Sequence, residues 1–298
     1  MVQSHINLME VSVQDQQKRI ISRRSFLKAG GAACIGFPLY AAEVSRHEIS
    51  PERHNIELSR LPDPFRGFTI VQVSDFHYAE FTEPYFLRDV VKRINQLKPD
   101  AIFFNGDYVT DGSLFSHART KQFAYSCIEI LSQVHCPLQY AVLGNHDSTF
   151  AEPAVIDALT IHGIKLLNNG YMPLERDGKR IWIAGSADAF YRKMDLDKAV
   201  PHPALANGEP ILLMVHEPDV LPLVARRNVD LMLSGHTHGG QVRFPFVPPL
   251  HLPPLGRKYV EGLFHFGPTQ LYVNRGLGTV GLPFRFNCPP EIAVLTLT

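Results

Sequence analysis

Five short polar clusters, each placed directly after an apolar run, constrain this 298-residue sequence more than any other feature. The apolar runs have the length and composition of buried strands. Glycines beside three of the clusters let the backbone turn sharply. Because open α/β sheets bind ligands at the carboxyl ends of their strands, we expect the clusters to meet at one site. In chain order they are Asp75-Phe76-His77, Gly106-Asp107, Gly144-Asn145-His146-Asp147, His216 and Ser234-Gly235-His236-Thr237-His238-Gly239-Gly240.

The segments around these clusters alternate between strand and helix patterns, and a β-rich tail follows. The predicted strands are Phe68–Ser74, Ala101–Asn105, Leu138–Leu143, Ile181–Gly185, Ile211–Val215 and Val229–Leu233, and in the tail Tyr259–Phe264, Gln270–Asn274 and Ile292–Leu297. The predicted helices are Pro84–Leu97, Phe115–Val134, Pro153–His162 and a short one at Val220–Ala225. This order predicts an α/β fold with mixed sheets. Since no repeat or linker follows residue 50, we expect residues 50–298 to form a single domain.

The clusters are rich in side chains that bind metal ions. In an extended chain, residues i and i+2 point the same way, so Asp75 and His77 can share one ion and His236 and His238 can converge on one centre. The chain has 14 His and only 4 Cys. Nitrogen and oxygen ligands without sulfur favour Mn²⁺, Fe²⁺/³⁺, Zn²⁺ or Ni²⁺ over Cu(I). Taken singly, a D-x-H pair or a lone His such as His216 is more often a hydrogen-bonded core group than a metal ligand, and an H-x-H pair is either. Five such clusters in a fixed order, each directly after an apolar strand, favour a metal site.

The D-x-H, G-D, G-N-H-D, H and G-H-x-H series resembles the calcineurin-like metallophosphoesterases over about Phe68 to Gly240. The His-Gly-Gly-Gln run from His238 to Gln241 resembles their exported bacterial phosphodiesterase branch. The resemblance implies a four-layer α-β-β-α sandwich with two mixed sheets and a dinuclear metal site at the strand carboxyl ends. It also implies a phosphodiesterase that hydrolyses a phosphate ester by in-line attack of a hydroxide bridging two divalent ions.

The resemblance further implies a role for each motif residue. Asp107 would bridge the two ions. His146 would contact the phosphate and act at the leaving oxygen as an acid or charge stabiliser, with Asp147 orienting its ring. The expected ligands are Asp75, His77 and His238 for one ion, and Asn145, His216 and His236 for the other.

The net charge of the chain limits the classes of partner that it can bind. With 29 basic and 29 acidic residues the formal net charge is zero, which argues against nucleic acid as a partner. Two divalent ions facing two carboxylates leave about two positive charges, which suits an anionic substrate. We expect a monomer acting on a small-molecule or lipid-linked phosphate ester. The alternatives are a pyrophosphatase for a lipid-linked substrate such as UDP-2,3-diacylglucosamine, and a non-catalytic metal- or phosphate-binding protein.

The N-terminus carries an export pattern. Residues Ser22 to Lys28 read SRRSFLK, which resembles the twin-arginine signal at every position. The apolar stretch that follows, residues 29–42, is shorter than the ~20 residues a bilayer span needs. We therefore expect residues 1–45 to be a twin-arginine signal directing the protein to the periplasm or cell envelope, either removed or kept as an anchor.

A proline-rich segment, Phe244–Leu255, holds five prolines and six large apolar residues. We expect it to form a packed cover over the core, because soluble proteins rarely leave that much apolar surface bare. The alternative is an exposed apolar lip touching lipid. Residues 274–278 are expected to form a loop at the rim of the site. Basic residues of the tail, which could meet a substrate phosphate or be solvated, are Arg243, Arg257, Lys258, Arg275 and Arg285.

Overall fold

Two six-stranded mixed sheets lie at the centre of the fold. The computed structural model describes residues 36, 39–78, 81–110, 117–191 and 193–298. The strands are β1 (Ser50–Ile56), β2 (Thr69–Val73), β3 (Ala101–Asn105), β4 (Gln139–Val142), β5 (Lys165–Leu166), β6 (Gly170–Arg176), β7 (Lys179–Gly185), β8 (Ile211–Met214), β9 (Leu231–Ser234), β10 (Gly262–Phe266), β11 (Thr269–Val273) and β12 (Glu291–Leu297). The α-helices are α1 (Pro84–Leu97), α2 (His117–Leu131), α3 (Asn145–Phe150), α4 (Glu152–Ile161), α5 (Leu196–Ala199), α6 (His202–Asn207) and α7 (Leu221–Ala225).

Each sheet combines a parallel centre with an antiparallel pairing. The first sheet has the order β1-β12-β2-β3-β4-β5, and its only antiparallel neighbours are β12 and β2. The second has the order β10-β11-β9-β8-β7-β6, with antiparallel pairs at both edges. The parallel strands β2, β3, β4, β8 and β9 are those that precede the polar clusters, so the clusters leave the sheets at the same edge.

Three apolar clusters show that these sheets form the inner two of four layers. Phe103 of β3 belongs to the cluster between the sheets, whereas Phe104 belongs to the one beneath α1, α2 and α4. Likewise, Leu212 of β8 lies between the sheets and Leu213 faces α5, α6 and α7. Successive residues of a strand point to opposite faces, so an all-apolar strand buries both. The predicted four-layer α/β sandwich with two mixed sheets is therefore confirmed.

The predicted elements agree well with the structure where packing is strong. Helix Pro84–Leu97 is confirmed at both ends: it begins on a proline and ends before Lys98, which is in the left-handed conformation. The six strands predicted before the tail are confirmed to within two residues at each end. The tail is β-rich as predicted, and β12 inserts between β1 and β2.

The sequence patterns missed three of the four edge strands, β1, β5 and β6, and three of the four shortest helices, α3, α5 and α6. Strand β1 alternates exposed and half-buried polar residues, among them Glu52 and Arg53, and β6 contains Pro173. An edge strand needs partners on one side only, so it tolerates charge and proline that an inner strand excludes. The described helices include none long and apolar enough to traverse a bilayer. The predicted export motif at 22–28 lies outside the described residues.

Candidate metal centre and substrate cavity

The polar clusters converge where β2, β3, β4, β8 and β9 end. Three overlapping groups of side chains bring their ligand atoms within 4.8 Å of one another. These groups are Asp75, His77 and His238; His77, Asp107 and His146; and Asp107, His216 and His236. We call Asp75, His77, Asp107, Asn145, His216, His236 and His238 the ligand cluster.

Many residues of the ligand cluster have a left-handed backbone conformation, which sets the direction of their side chains. Five residues of the ligand cluster have positive φ: Asp75 (53°), His77 (43°), Asp107 (57°), His236 (73°) and His238 (52°). Such conformations cost about 1–3 kcal/mol each, so the surrounding contacts must hold them. The expectation of extended chain is therefore wrong here. Asp75 and His77 share a group, whereas His236 and His238 fall into different groups of the same ligand cluster.

Asp107 lies between the groups. Its Oδ2 is 3.1 Å from His216 Nε2 and 3.6 Å from His77 Nε2. Its Oδ1 accepts a hydrogen bond from the backbone N–H of His146, at 3.0 Å. One carboxylate thus faces both sides of the ligand cluster, and its second oxygen fixes the start of α3.

Asp75 is held from two directions. Its carboxylate accepts the backbone N–H of His236 at 3.0 and 3.1 Å and the hydroxyl of Ser74 at 2.5 Å. Beneath it, a Cβ added to Gly276 would come within 2.6 Å of the Asp75 Cβ, and the N–H of Gly278 donates to the Asp75 carbonyl at 2.7 Å. The loop at 274–278 therefore lies under Asp75, and its predicted place at the rim is wrong.

Each of three imidazoles has one ring nitrogen engaged away from the centre. His216 Nδ1 is 2.7 Å from the carbonyl oxygen of Asn105, and His236 Nε2 is 2.8 Å from that of Pro254. His77 Nδ1 lies 3.4 Å from the Thr110 hydroxyl. A carbonyl partner fixes the proton on the outer nitrogen and leaves the inner one free to bind a cation.

Asp147 stabilises the two loops that carry Asp107 and His146. Its carboxylate accepts backbone N–H groups of Asp107 (2.8 Å), Tyr108 (2.9 Å), Val109 (3.3 Å) and Gly144 (3.0 Å). The His146 ring stands edge-on to His77, with centroids 4.9 Å apart. These hydrogen bonds join Asp147 to backbone groups of both loops and fix the spacing between the ends of β3 and β4.

Burial and mutual charge shift the pKa values of the cluster. Burial lowers the pKa of His77 to about 3 and that of His236 to about 4, with His146 and His216 respectively adding repulsion. Burial raises the pKa of Asp75 to about 6. Burial would also raise the pKa of Asp107, but His216 and His146 outweigh it and hold that pKa well below the ordinary value. Burial would lower the pKa of His216 too, but Asp107 and Asp75 outweigh it and raise that pKa well above the ordinary value. At neutral pH the cluster therefore offers neutral imidazoles at His77 and His236 beside the ionised carboxylate of Asp107, whereas His216 must release a proton before it can bind a cation.

A cavity of about 720 Å³ opens above the ligand cluster. Polar side chains form its floor: Asp107, Asn145, His146, His236 and His238. Much of its wall is apolar, with Phe190, Val242, Phe244, Leu250, Pro253, Pro254, Val280, Leu282 and Phe284. A charged group can therefore bind at the bottom while an apolar group lies along the wall.

The family model described as "Calcineurin-like phosphoesterase" matches residues 68–240, which span all five clusters. The chain is a calcineurin-like phosphoesterase. The metallophosphoesterase YkuE of Bacillus subtilis (strain 168) is 37% identical over 287 residues, covering 93% of this chain and 98% of the relative. The phosphodiesterase YaeI of Escherichia coli (strain K12) is 33% identical over 289 residues, 93% of this chain and 100% of the relative.

A third relative is named after a lipid-linked compound. The UDP-2,3-diacylglucosamine pyrophosphatase LpxG of Chlamydia muridarum (strain MoPn / Nigg) is 28% identical over 303 residues, covering 79% of this chain and 86% of the relative. The family and the ligand cluster together place this phosphoesterase among the metal-dependent phosphoric ester hydrolases. Divalent ions are the implied cofactor.

The proline-rich segment of the phosphoesterase is not the packed cover that we expected. Large apolar side chains at the mouth of the cavity are exposed, and we call them the lip: Phe244, Phe246, Val247, Leu250 and Leu282. Pro249 and Pro253 are partly buried, whereas Pro245, Pro248 and Pro254 are exposed. A Cβ on Gly240 would lie 2.5 Å from the Pro249 side chain, and one on Gly256 would lie 3.2 Å from that of Pro253. These two prolines therefore pack close to Gly240 and Gly256, while most large apolar side chains of the segment stay exposed.

Arg285 is a site residue that sequence reasoning missed. It was expected to meet a phosphate or to be solvated, but it is fully buried. Its guanidinium donates to the carbonyls of Gly278 (Nε, 3.1 Å), Cys288 (Nη1, 3.1 Å) and Arg275 (Nη2, 2.9 Å), and Nη2 lies 3.4 Å from His238 Nδ1. It thereby ties the loop under Asp75 to His238. No motif in the sequence distinguishes this arginine from the others of the tail.

Proposed function

We propose that this phosphoesterase is a phosphodiesterase that works with two divalent ions held by the ligand cluster. The position of Asp107 carries the proposal, because Oδ2 lies within 3.6 Å of a histidine nitrogen on either side. A carboxylate shared between two adjacent cations offsets their repulsion. The ligands would be Asp75, His77 and His238 for one ion, Asn145, His216 and His236 for the other, and Asp107 for both.

The donor set fits such ions. The amide oxygen of Asn145 is buried and has no hydrogen-bond partner within the described part of the chain. Buried polar atoms nearly always have a partner, so an unpaired oxygen of a residue that lines the cavity with His146, His236 and His238 suits a cation. The imidazole and oxygen donors suit Mn²⁺, Fe²⁺/³⁺, Zn²⁺ or Ni²⁺.

Two bound divalent ions supply Lewis acidity and lower the pKa of a bound water. The chain itself supplies the geometry. In this proposal His146, which lines the cavity and is anchored through its backbone N–H to Asp107, provides a proton or positive charge to the departing oxygen. Asp147 acts as a positioning residue, because its carboxylate fixes the backbone on both sides of that anchor.

Turnover of a small chromogenic diester tests this proposal. We expect the purified protein to hydrolyse bis-p-nitrophenyl phosphate with added Mn²⁺, to do so faster than p-nitrophenyl phosphate, and to stop when a chelator is added. Faster hydrolysis of the monoester would make it a phosphomonoesterase. If both metal sites are occupied and the protein hydrolyses neither ester with any of these metals, it is a metal- or phosphate-binding protein instead.

A second candidate is hydrolysis of a lipid-linked pyrophosphate, which the apolar cavity wall supports. Acyl groups of such a substrate would lie along Phe190, Val280 and Phe284 while the pyrophosphate meets the floor. The relative named UDP-2,3-diacylglucosamine pyrophosphatase supports the same class. Parallel assays with UDP-2,3-diacylglucosamine and the chromogenic diester discriminate the two, since a diesterase for soluble substrates would leave the lipid-linked compound intact.

We also propose that the protein is exported by the twin-arginine route and works in the periplasm or cell envelope. The motif at residues 22–28 supports this. Replacing Arg23 and Arg24 together by lysine should retain the protein in the cytoplasm, as measured by fractionation and immunoblotting. Unchanged export of that variant would contradict the proposal.

A further inference from the structure

The lip exposes apolar side chains at the entrance to the catalytic cavity. Phe246 is fully exposed and Leu250 is 66% exposed. Phe246 also has a φ of 66°, a conformation in which a bulky residue is rarely found. The backbone is thus strained at the residue whose aromatic ring is most completely in water. The hydrophobic effect disfavours this arrangement unless another apolar phase covers the ring.

The lip is continuous with the cavity. Phe244, Leu250 and Leu282 belong both to the lip and to the cavity wall. The segment that carries most of the lip also contacts the ligand cluster, because the Pro254 carbonyl accepts from His236 Nε2. An apolar group resting on the lip is therefore next to the path that leads to the metal centre.

Size and charge indicate what covers the lip. A stable protein–protein interface uses about 20–30 residues on each side, whereas the lip has five side chains on two short segments. Residues 244–256 contain no Asp, Glu, Lys or Arg, and the exposed cations Arg257 and Lys258 follow directly. Apolar side chains beside basic ones match the interface of an anionic bilayer.

We infer that the lip is a membrane-docking surface that inserts into the boundary between headgroups and acyl chains of an anionic bilayer. Docking there places the mouth of the cavity at the membrane, where it can receive a phosphate ester carried by a lipid. The second statement rests on the proposed function. Docking itself needs no hydrolysis and is measured separately.

Vesicle flotation of the full chain in the presence of a chelator tests the inference. The vesicles contain phosphatidylglycerol and phosphatidylcholine. The lip variant combines Phe246→Ser and Leu250→Ser. The matched control combines Phe266→Ser and Ile161→Ser, which remove side chains of similar type, 42% and 64% exposed, at the end of β10 and of α4.

We expect the wild-type protein to float with the vesicles and the partition constant of the lip variant to fall about tenfold or more, since burying one large apolar side chain contributes that much. The control should stay within about twofold of wild type. Melting curves establish that both variants are folded. If the lip variant does not fold, the single Phe246→Ser protein replaces it, because that side chain makes no buried contact to lose.

Three results would overturn the inference. The wild-type protein could fail to float, the lip variant and the control could float equally well, or light scattering could show a dimer that the lip substitutions dissociate. The same proteins, reloaded with Mn²⁺, are assayed on bis-p-nitrophenyl phosphate. If the wild-type protein floats with the vesicles but does not hydrolyse the diester, the proposed function is contradicted while the inferred docking surface stands.

Discussion

The ligand cluster and the lip lie at opposite ends of one cavity and are built on opposite principles. In the cluster, Asp75 and Asp107 are buried and accept hydrogen bonds from backbone groups of other strand ends. In the lip, Phe246 and Leu250 are exposed and carry no polar atom on the side chain. The cluster depends on placing each atom, whereas the lip depends on the apolar area it offers. Substitutions should therefore have large, residue-specific effects in the first and small, additive effects in the second.

Strained backbone occurs in both regions, with different support. His236 and His238 have positive φ, and the N–H of His236 is fixed on the Asp75 carboxylate. Phe246 also has positive φ, but its ring is fully exposed. In the ligand cluster, the strained backbone occurs at residues whose side chains are positioned to bind an ion. In the lip, it occurs at a residue whose side chain points into solvent.

Replacing Asp107 by Asn should have the largest effect. The variant loses the charge that both groups of ligands share, so we expect it to lose the pair of ions and at least about a thousandfold in turnover. Elemental analysis and diester assays measure this. Asp63→Asn is the control, because that carboxylate is almost fully exposed. Two tightly bound ions in the Asp107 variant would contradict the bridging role.

Replacing His146 by Asn should separate catalysis from metal binding. We expect turnover to fall by about 10²- to 10⁴-fold, the usual contribution of a general acid, while two ions remain bound. The control is His135→Asn, on the exposed turn after α2. A His146 variant with two ions and full turnover would show that this residue is not catalytic.

Replacing Gly276 by Ala should destabilise the cluster from below. The added Cβ would meet the Cβ of Asp75 at 2.6 Å on a backbone with φ of 73°, so we expect a loss of about 3 kcal/mol in the free energy of unfolding. Gly267→Ala is a matched control, because its φ is 60° and nothing lies within 4 Å. It should cost about 1–2 kcal/mol. Equal losses in denaturant titrations would mean that the contact with Asp75 is not tight.

The lip should give the smallest effect. Leu282→Ser removes apolar area at the mouth, and we expect the KM for a long-chain phosphate ester to rise about threefold to tenfold. The effect on stability should stay within about 0.5 kcal/mol, as for surface positions generally. Leu223→Ser, a similarly exposed leucine of α7, is the control. A rise in KM that is equal for short-chain and long-chain esters would argue against apolar contact at the lip.

Sequence periodicity predicted most of the layers because inner strands and α1 bury continuous or regularly spaced apolar residues. It also predicted that the polar clusters would meet, since parallel strands end at the same edge of a sheet. It did not predict β1 and β6, whose polar residues are acceptable only because these strands lie at sheet edges. Nor did it predict the left-handed conformations of Asp75 and His236, which depend on hydrogen bonds between distant loops.

The sequence by itself determined the residue types of the centre, their order and the strands that precede them, because these depend on local apolar runs and on ligand chemistry. Only the tertiary structure decided the burial of Arg285 and the outward orientation of Phe246. Both side chains lie in a tail with many basic and apolar residues, and local sequence does not tell one from another. Burial is set by what packs against a residue from elsewhere in the chain: carbonyls of a returning loop surround Arg285, and Pro249 and Pro253, rather than Phe246, make the close contacts of their segment.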